Sequence, residues 1–492
     1  MPLASIKIPA GVRSHGTEFE SANRWLDVNL VRWRDGSLRP IGGWTLKAGS
    51  AIDSAGRGAV SWVDNSEESR IAVGTYNKLF HINSGGTATD ITPVGLTAGN
   101  VDAQINLGYG GYYYGSGTYG TARPSSGAAI ECTTWSLDNW GEYLVACSVD
   151  DGKLYEWTLN LASPAAQIAN SPADCLGLMV TEERFLFALG ADGNPRLIKW
   201  SDKEDNTTWS PLATNEAGDF ELQTNGEILC GLRARGKALI LTTTDAHTAT
   251  YIGPQFVYSF ERVGTACGAI SRKAAVSFDQ GSFWMGTNGF FMFDGSAVAE
   301  MPCEVIDHVF NNMNVAQRSK TFAVHNSQFG EVWWFYPSGD SNENDSYVAY
   351  DYKENHWNIG RLNRTTGIDS GVFRNPIWID EDGNVYNHED GYNHSPYTSY
   401  AETGPIMIAD GDSVAKVNQL VPDELTQGQV TVSFKTRFHP NDVERSYGPY
   451  STANPTDVRF TGRQFRLRIN GSELNDWRFG VPRINIIAGG RR

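Results

Sequence analysis

Between about residue 57 and residue 395 the chain alternates short apolar runs with polar turns rich in Gly, Asp and Asn. The runs come in pairs: the first ends in a small residue, a turn follows, and the second carries an aromatic. Ile71-Ala72-Val73-Gly74 precedes Leu79-Phe80-His81-Ile82, and Leu144-Val145-Ala146-Cys147 precedes Leu154-Tyr155-Glu156-Trp157. Further pairs are 185–189 with 197–200, 238–241 with 248–251, 282–286 with 289–293, 332–336 with 347–351, and 376–380 with 383–386. Runs of this length bounded by turn residues read as β-strands.

The second runs begin near 79, 154, 197, 248, 290, 347 and 385. Intervals of roughly 37–75 residues bracket a four-stranded propeller blade, with loops absorbing the variation. A long β-sandwich array is the alternative, and a β-helix would show a shorter, stricter period. The expected fold class is therefore all-β, a β-propeller of about six to eight blades. Large aromatics are expected to fill the wedges between blades.

Four stretches depart from the pattern. Residues 106–128 form a Gly/Tyr-rich insertion with Tyr109, Tyr112, Tyr113, Tyr114 and Tyr119 among glycines and serines. Residues 303–320 read as a short helix, because Val305-Ile306 and Val309-Phe310 share a face at i, i+4 spacing. Residues 396–428 read as a connector. Residues 429–492 hold strand runs at 430–435, 464–469 and 483–487. In the middle run Phe465, Leu467 and Ile469 point inward while Arg466 and Arg468 point out, the signature of a half-buried strand. The expected organisation is N-terminal strands (1–56) joining a platform, a propeller (57–395), a connector (396–428) and a smaller C-terminal β platform domain (429–492).

Composition agrees with this reading. There are 52 glycines in 492 residues, 12% aromatic and only 20% charged residues, which argues against coiled coils, helical bundles and disordered chains. No run of about 18 apolar residues occurs, so no membrane insertion is expected, and residues 1–7 lack the pattern of a secretion signal. Cys132, Cys147, Cys175, Cys230, Cys267 and Cys303 have no Cys-x-x-Cys or zinc-knuckle spacing and read as free thiols from a reducing compartment.

The net charge of −16 is unevenly placed. Residues 1–40 carry six basic and four acidic side chains, and 459–492 carry eight arginines against Glu473 and Asp476; the remaining 41–458 hold −24. An acidic body does not suit a nucleic-acid reader and repels a passing duplex.

No catalytic constellation appears. There is no P-loop, no Gly-x-Ser-x-Gly elbow and no His-Glu-x-x-His, so no enzyme, cofactor or metal site is expected. His388 and His394 flank Gly391, where loop polarity accounts for them. Asp380-Glu381-Asp382-Gly383-Asn384 lacks the remaining ligands of a calcium loop and reads as a hairpin turn. The segment 201–209 has residue types of the sialidase turn but the wrong Asp-to-Trp interval, no Gly and no repetition.

Several segments together resemble phage tail nozzle proteins, the tail tubular protein B or packaged-DNA stabilisation family of short-tailed phages. They are Asn29-Leu30-Val31-Arg32-Trp33-Arg34-Asp35-Gly36, then Trp200-Ser201-Asp202 through Trp209-Ser210-Pro211, then Gly264-Thr265-Ala266-Cys267-Gly268 with Phe283-Trp284-Met285-Gly286, and finally Gly462 to Ile469 with Trp477-Arg478-Phe479-Gly480. The resemblance implies a β-propeller with a smaller platform built from terminal segments, and a homo-hexameric ring in the virion tail, assembled in the host cytoplasm, below an adaptor or portal-side protein. It implies tail fibre or tip partners, and double-stranded DNA passing through the lumen without sequence-specific binding. On that reading the five tyrosines are a channel or contact loop, and Arg463, Arg466, Arg468, Arg478 and Arg483 are platform or interface residues. The alternatives are a glycan-binding or glycan-cleaving tail propeller at the host surface, and an intracellular scaffold propeller.

Overall fold

The computed structural model describes residues 3–47, 51–104, 130–407, 413–472 and 474–490. Seven four-stranded antiparallel sheets follow one another as the blades of a β-propeller. Their innermost strands are Gly58–Val63, Trp135–Trp140, Gly177–Val180, Ile228–Ala234, Ala275–Phe278, Phe322–Asn326 and Thr366–Ile368. The third strands start at Leu79, Leu154, Leu197, Asp245, Phe290, Ser346 and Val385, each within a few residues of the expected positions.

Second strands are flanked on both faces by neighbouring blades, so they lose the alternation of a half-exposed strand. Glu331–Tyr336 is buried at all six positions. The wedges between blades are aromatic, as expected: His81 meets Trp157 at 4.8 Å between blades 1 and 2, and Phe187 meets Tyr258 at 4.9 Å between blades 3 and 4. Phe290 meets Trp334 at 5.0 Å between blades 5 and 6, and Trp333 meets Trp378 at 5.3 Å between blades 6 and 7.

The ring is closed by the N-terminal segment. Trp44–Leu46 is the outer strand of blade 7, pairing antiparallel with Val385–His388 through Trp44↔His388, Thr45↔Asn387 and Leu46↔Tyr386. Residues 1–56 are thus divided between two units rather than confined to the platform.

The platform is a two-sheet β-sandwich. One sheet has the order Leu3–Ser5, Arg483–Ala488, Ala415–Val421, Thr456–Gly462. The other has the order Trp25–Asn29, Tyr400–Thr403, Gln464–Gly471, Val430–Arg437, Arg445–Ser451. Phe465, Leu467 and Ile469 point into the sandwich against Val417, Val458 and Phe460, as their alternation requires. This core runs on without interruption into Trp25, Trp33, Phe290, Trp334 and Trp357, so the platform docks on blades 5 and 6. The helix Ile306–Asn312 lies in the same seam, with Val305 and Val309 fully buried.

Three local expectations change. Residues 396–428 are not a plain connector, since Tyr400–Thr403, Ile406–Met407 and Ala415–Val421 are platform strands. The acidic Glu402 hides the first of them by sitting at a buried position where it is ion-paired. His388 and His394 are core residues at 1% and 0% exposure, not loop polarity. The ring of His388 stacks on Trp378 at 4.1 Å, and His394 Nε2 lies 3.0 Å from the carbonyl of Ile41. Asp380–Asn384 is a hairpin turn: the Asp380 carboxylate accepts from the N–H groups of Asp382 (3.0 Å) and Asn384 (2.8 Å), with Gly383 at φ +80°. Cys132, Cys147, Cys175, Cys230 and Cys267 are buried free thiols, and Cys303 is a half-buried one.

Candidate functional site

Every innermost strand starts at the same face of the propeller. Four of these starts carry a nearly buried cation: Arg57 before blade 1, Arg272 before blade 5, Lys320 before blade 6 and Arg364 before blade 7, at 3–8% exposure. Burying a charge demands a partner: two of these cations share one carboxylate, a third rests on backbone carbonyls, and the fourth on a histidine and aromatic rings. Arg57 pairs with Glu343, and Lys320 Nζ lies 2.7 Å from the same carboxylate and 2.6 Å from Asp102. Arg272 donates to the Ile228 carbonyl at 3.0 Å, flanked by Glu131 at 3.6 Å and Glu227 at 3.8 Å.

Among the described residues Arg364 faces no carboxylate at ion-pair distance. Its Nε donates to His388 Nε2 at 2.8 Å, which requires a neutral imidazole, and its guanidinium sits 5.0 Å from the Trp44 ring and 4.7 Å from Tyr386. Burial brings Arg364 down to about 10 and, with the adjacent guanidinium, holds His388 well below the usual histidine range.

Three of these cations pin the feet of the Gly/Tyr insertion: Arg57 donates to the Val101 carbonyl, Lys320 pairs with Asp102, and Arg272 is flanked by Glu131. Gln104 and Ile130 exchange backbone hydrogen bonds of 2.8 and 3.0 Å. Ala103 donates to and accepts from the Gln317 amide (2.9 and 3.1 Å), and the Cys132 N–H donates to Ser319 Oγ at 3.4 Å. Arg57 belongs to blade 1, Arg272 to blade 5 and Lys320 to blade 6. In a ring of seven, blades 1 and 5 face each other across the axis, so the feet cross the axial end of the propeller. Tyr109, Tyr112, Tyr113, Tyr114 and Tyr119 lie outside the described residues.

The platform arginines divide into two groups. Arg466 pairs with Glu18, with Glu444 at 3.1 Å and with Glu402 at 3.6 Å. Arg468 reaches Glu402 at 3.0 Å and lies 3.9 Å over the Tyr400 ring. Lys435 joins the same carboxylate at 2.8 Å, and Arg437 binds Glu18 at 2.6 Å. Arg466 and Arg468 are thus brought together around Glu402, within the platform. Arg478 pairs with Asp476 at 3.1 Å and keeps an exposed side chain, Arg483 is exposed in its strand opposite Ser5, and Arg463 sits at the turn where its N–H bonds the Arg437 carbonyl at 3.2 Å. The acids Glu18, Glu402 and Glu444 come from separate segments, and no local pattern in the sequence ties them to these arginines.

Two consequences are measurable. Glu402→Gln leaves three cations around a neutral amide and is expected to destabilise the chain by about 2–4 kcal/mol, read as a lower urea midpoint. Burial and the Arg70 charge depress the buried His81 to about 4 from the ordinary histidine value of 6.5. The unfolded chain takes up this proton near pH 6.5 and the folded chain only near pH 4. The stability contributed by neutral His81 is therefore complete above pH 6.5 and is lost between 6.5 and 4, up to roughly 3 kcal/mol. His388 acts with the same sign, whereas Glu331 and Asp138, raised by burial, act against it. The urea midpoint should fall less between pH 7 and pH 5 in His81→Asn than in the wild type.

No family model matches the sequence, and no curated protein matches it. Similar solved structures are β-propellers. Virginiamycin B lyase from Staphylococcus aureus is 10% identical at a TM-score of 0.42, over 70% of this chain and 98% of that one. The WD40 β-propeller domain of Doa1 is 9% identical at 0.41, over 70% and 97%. YCF48 bound to D1 peptide is 8% identical at 0.40, over 74% and 97%.

The expectation that the chain is not an enzyme is corrected at this point. Virginiamycin B lyase and streptogramin B lyase, two of these similar propellers, are enzymes, and loops carry residues from separate blades to one face, an arrangement that no linear motif records.

Proposed function

We propose that the chain is a structural virion protein of a short-tailed phage, a tail nozzle that forms a homo-hexameric ring below the portal-side adaptor. The observation that carries this reading is the architecture: a propeller joined to a platform woven from both ends of the chain, the organisation that the sequence resemblance implies. Charge supports it, because a lumen lined by the −24 body lets a duplex slide without adhering. Within the ring the exposed Arg478 and Arg483 serve subunit or adaptor contacts. The Gly/Tyr insertion, whose flanking residues Gln104 and Ile130 are held at the propeller's axial end, contacts a fibre, a tip protein or the channel. The ring closes the exit channel to retain packaged DNA and opens on ejection.

The test is assembly in the absence of this chain. Capsids made without it should package DNA and then lose it, and adding the purified protein should restore retention. Particles that retain DNA and infect normally without it would overturn the reading.

A further inference from the structure

The innermost strands of blades 1 to 5 surround a cavity of about 280 Å³ on the propeller axis, with Val60, Asp138, Met179, Arg233, Lys273 and Ser277 in its wall. It lies inside a single propeller and is separate from any channel between subunits. The charged groups in the wall are not equivalent. Arg233 is committed to Asp138 at 2.8 Å, and Arg272 is bound to backbone carbonyls and flanked by Glu131 and Glu227. Asp138 also accepts from the Val180 N–H at 2.9 Å.

Lys273 is different. It is half-buried, and its ammonium has no hydrogen-bond or ion-pair partner among the described residues. The titratable groups that act on it are Asp138 from blade 2 and the Cys230 thiol from blade 4, which share the cavity wall with it, and Cys147. Burial prevails over these and brings Lys273 down to about 8, while burial keeps the Cys230 thiol protonated at about 11. A half-buried ammonium in a cavity wall, with no hydrogen-bond or ion-pair partner of its own among the described residues, offers its donors to an anion from outside the chain. Beside it Val60, Leu178, Met179 and Leu232 line the same cavity with apolar surface.

We infer that the axial cavity binds a small organic carboxylate, its oxygens on Lys273 and its short apolar body against Val60, Leu178 and Met179. An anion without an apolar part leaves that surface uncovered, so inorganic phosphate should bind less well.

The test is calorimetric titration of the full chain with hexanoate and separately with inorganic phosphate, for wild type, Lys273→Met and Lys273→Arg. Saturable hexanoate binding is expected in the wild type, at least tenfold weaker in Lys273→Met and largely retained in Lys273→Arg. It should weaken as pH rises from 7 to 9 and the amine loses its proton. The proposal fails if wild type shows no saturable hexanoate binding, if Lys273→Met binds as tightly, or if phosphate binds better. Should Lys273→Met not fold, Lys273→Arg and the wild-type pH series decide: loss of binding in the first, or a flat second, overturns the proposal.

Discussion

Replacing Arg32 with alanine is expected to destabilise the whole chain by about 3–5 kcal/mol, the cost of breaking a buried ion-pair network from one side. Arg32 is 2% exposed and holds two carboxylates from different blades. Its Nε and Nη2 each donate to Glu331 at 2.9 Å, and Nη1 and Nη2 donate to Glu389 at 3.0 and 2.6 Å. Its guanidinium also lies 3.6 Å over the Phe329 ring. Glu331 opens the second strand of blade 6 and Glu389 follows the third strand of blade 7, so one side chain of the N-terminal hairpin clamps two blades.

Without the guanidinium, two buried carboxylates repel each other, and burial already raises Glu331 above the usual range. Lysine should not rescue the loss, since one ammonium cannot span both bidentate pairs. Urea unfolding monitored by tryptophan fluorescence reads the effect. A loss below about 1 kcal/mol in Arg32→Ala would show that the clamp contributes little.

Removing residues 1–47 is expected to have a still larger effect, abolishing the cooperative unfolding transition. That segment supplies a strand to each platform sheet, the Val31–Arg34 and Ser37–Pro40 hairpin, and the outer strand of blade 7. It also carries Trp25 and Trp33, which join the platform core to blades 5 and 6. Loss of one buried tryptophan costs about 3–5 kcal/mol, and a domain's whole stability is about 5–15 kcal/mol, so the truncated chain falls below what a folded propeller needs. Calorimetry checks this. A single transition within a few degrees of the wild type would mean that the ring closes without its N-terminal strand.

The sequence revealed what repeats and concealed what is used once. Apolar runs recur because every blade solves the same packing problem, so third strands at Leu79, Leu154, Leu197 and Phe290 were readable to the residue. The strand at 464–471 was readable because Phe465, Leu467 and Ile469 alternate with polar neighbours. Trp44–Leu46 was not, since it is three residues long and largely exposed at Thr45 and Leu46, with a partner more than 300 residues away. The ion pairs were hidden for the same reason: Arg437 and Glu18 are 419 positions apart. A buried Glu402 or His388 also mimics surface polarity until its partners Arg468 and Arg364 are seen in space.

A nozzle is defined by its copy number and position, and electron imaging of the assembled particle with this chain labelled measures both. Six copies in a closed ring around the DNA exit channel, directly below the portal-side adaptor, are expected. Label at the tips of peripheral fibres, away from the channel axis, or absent from the particle, would contradict the nozzle reading.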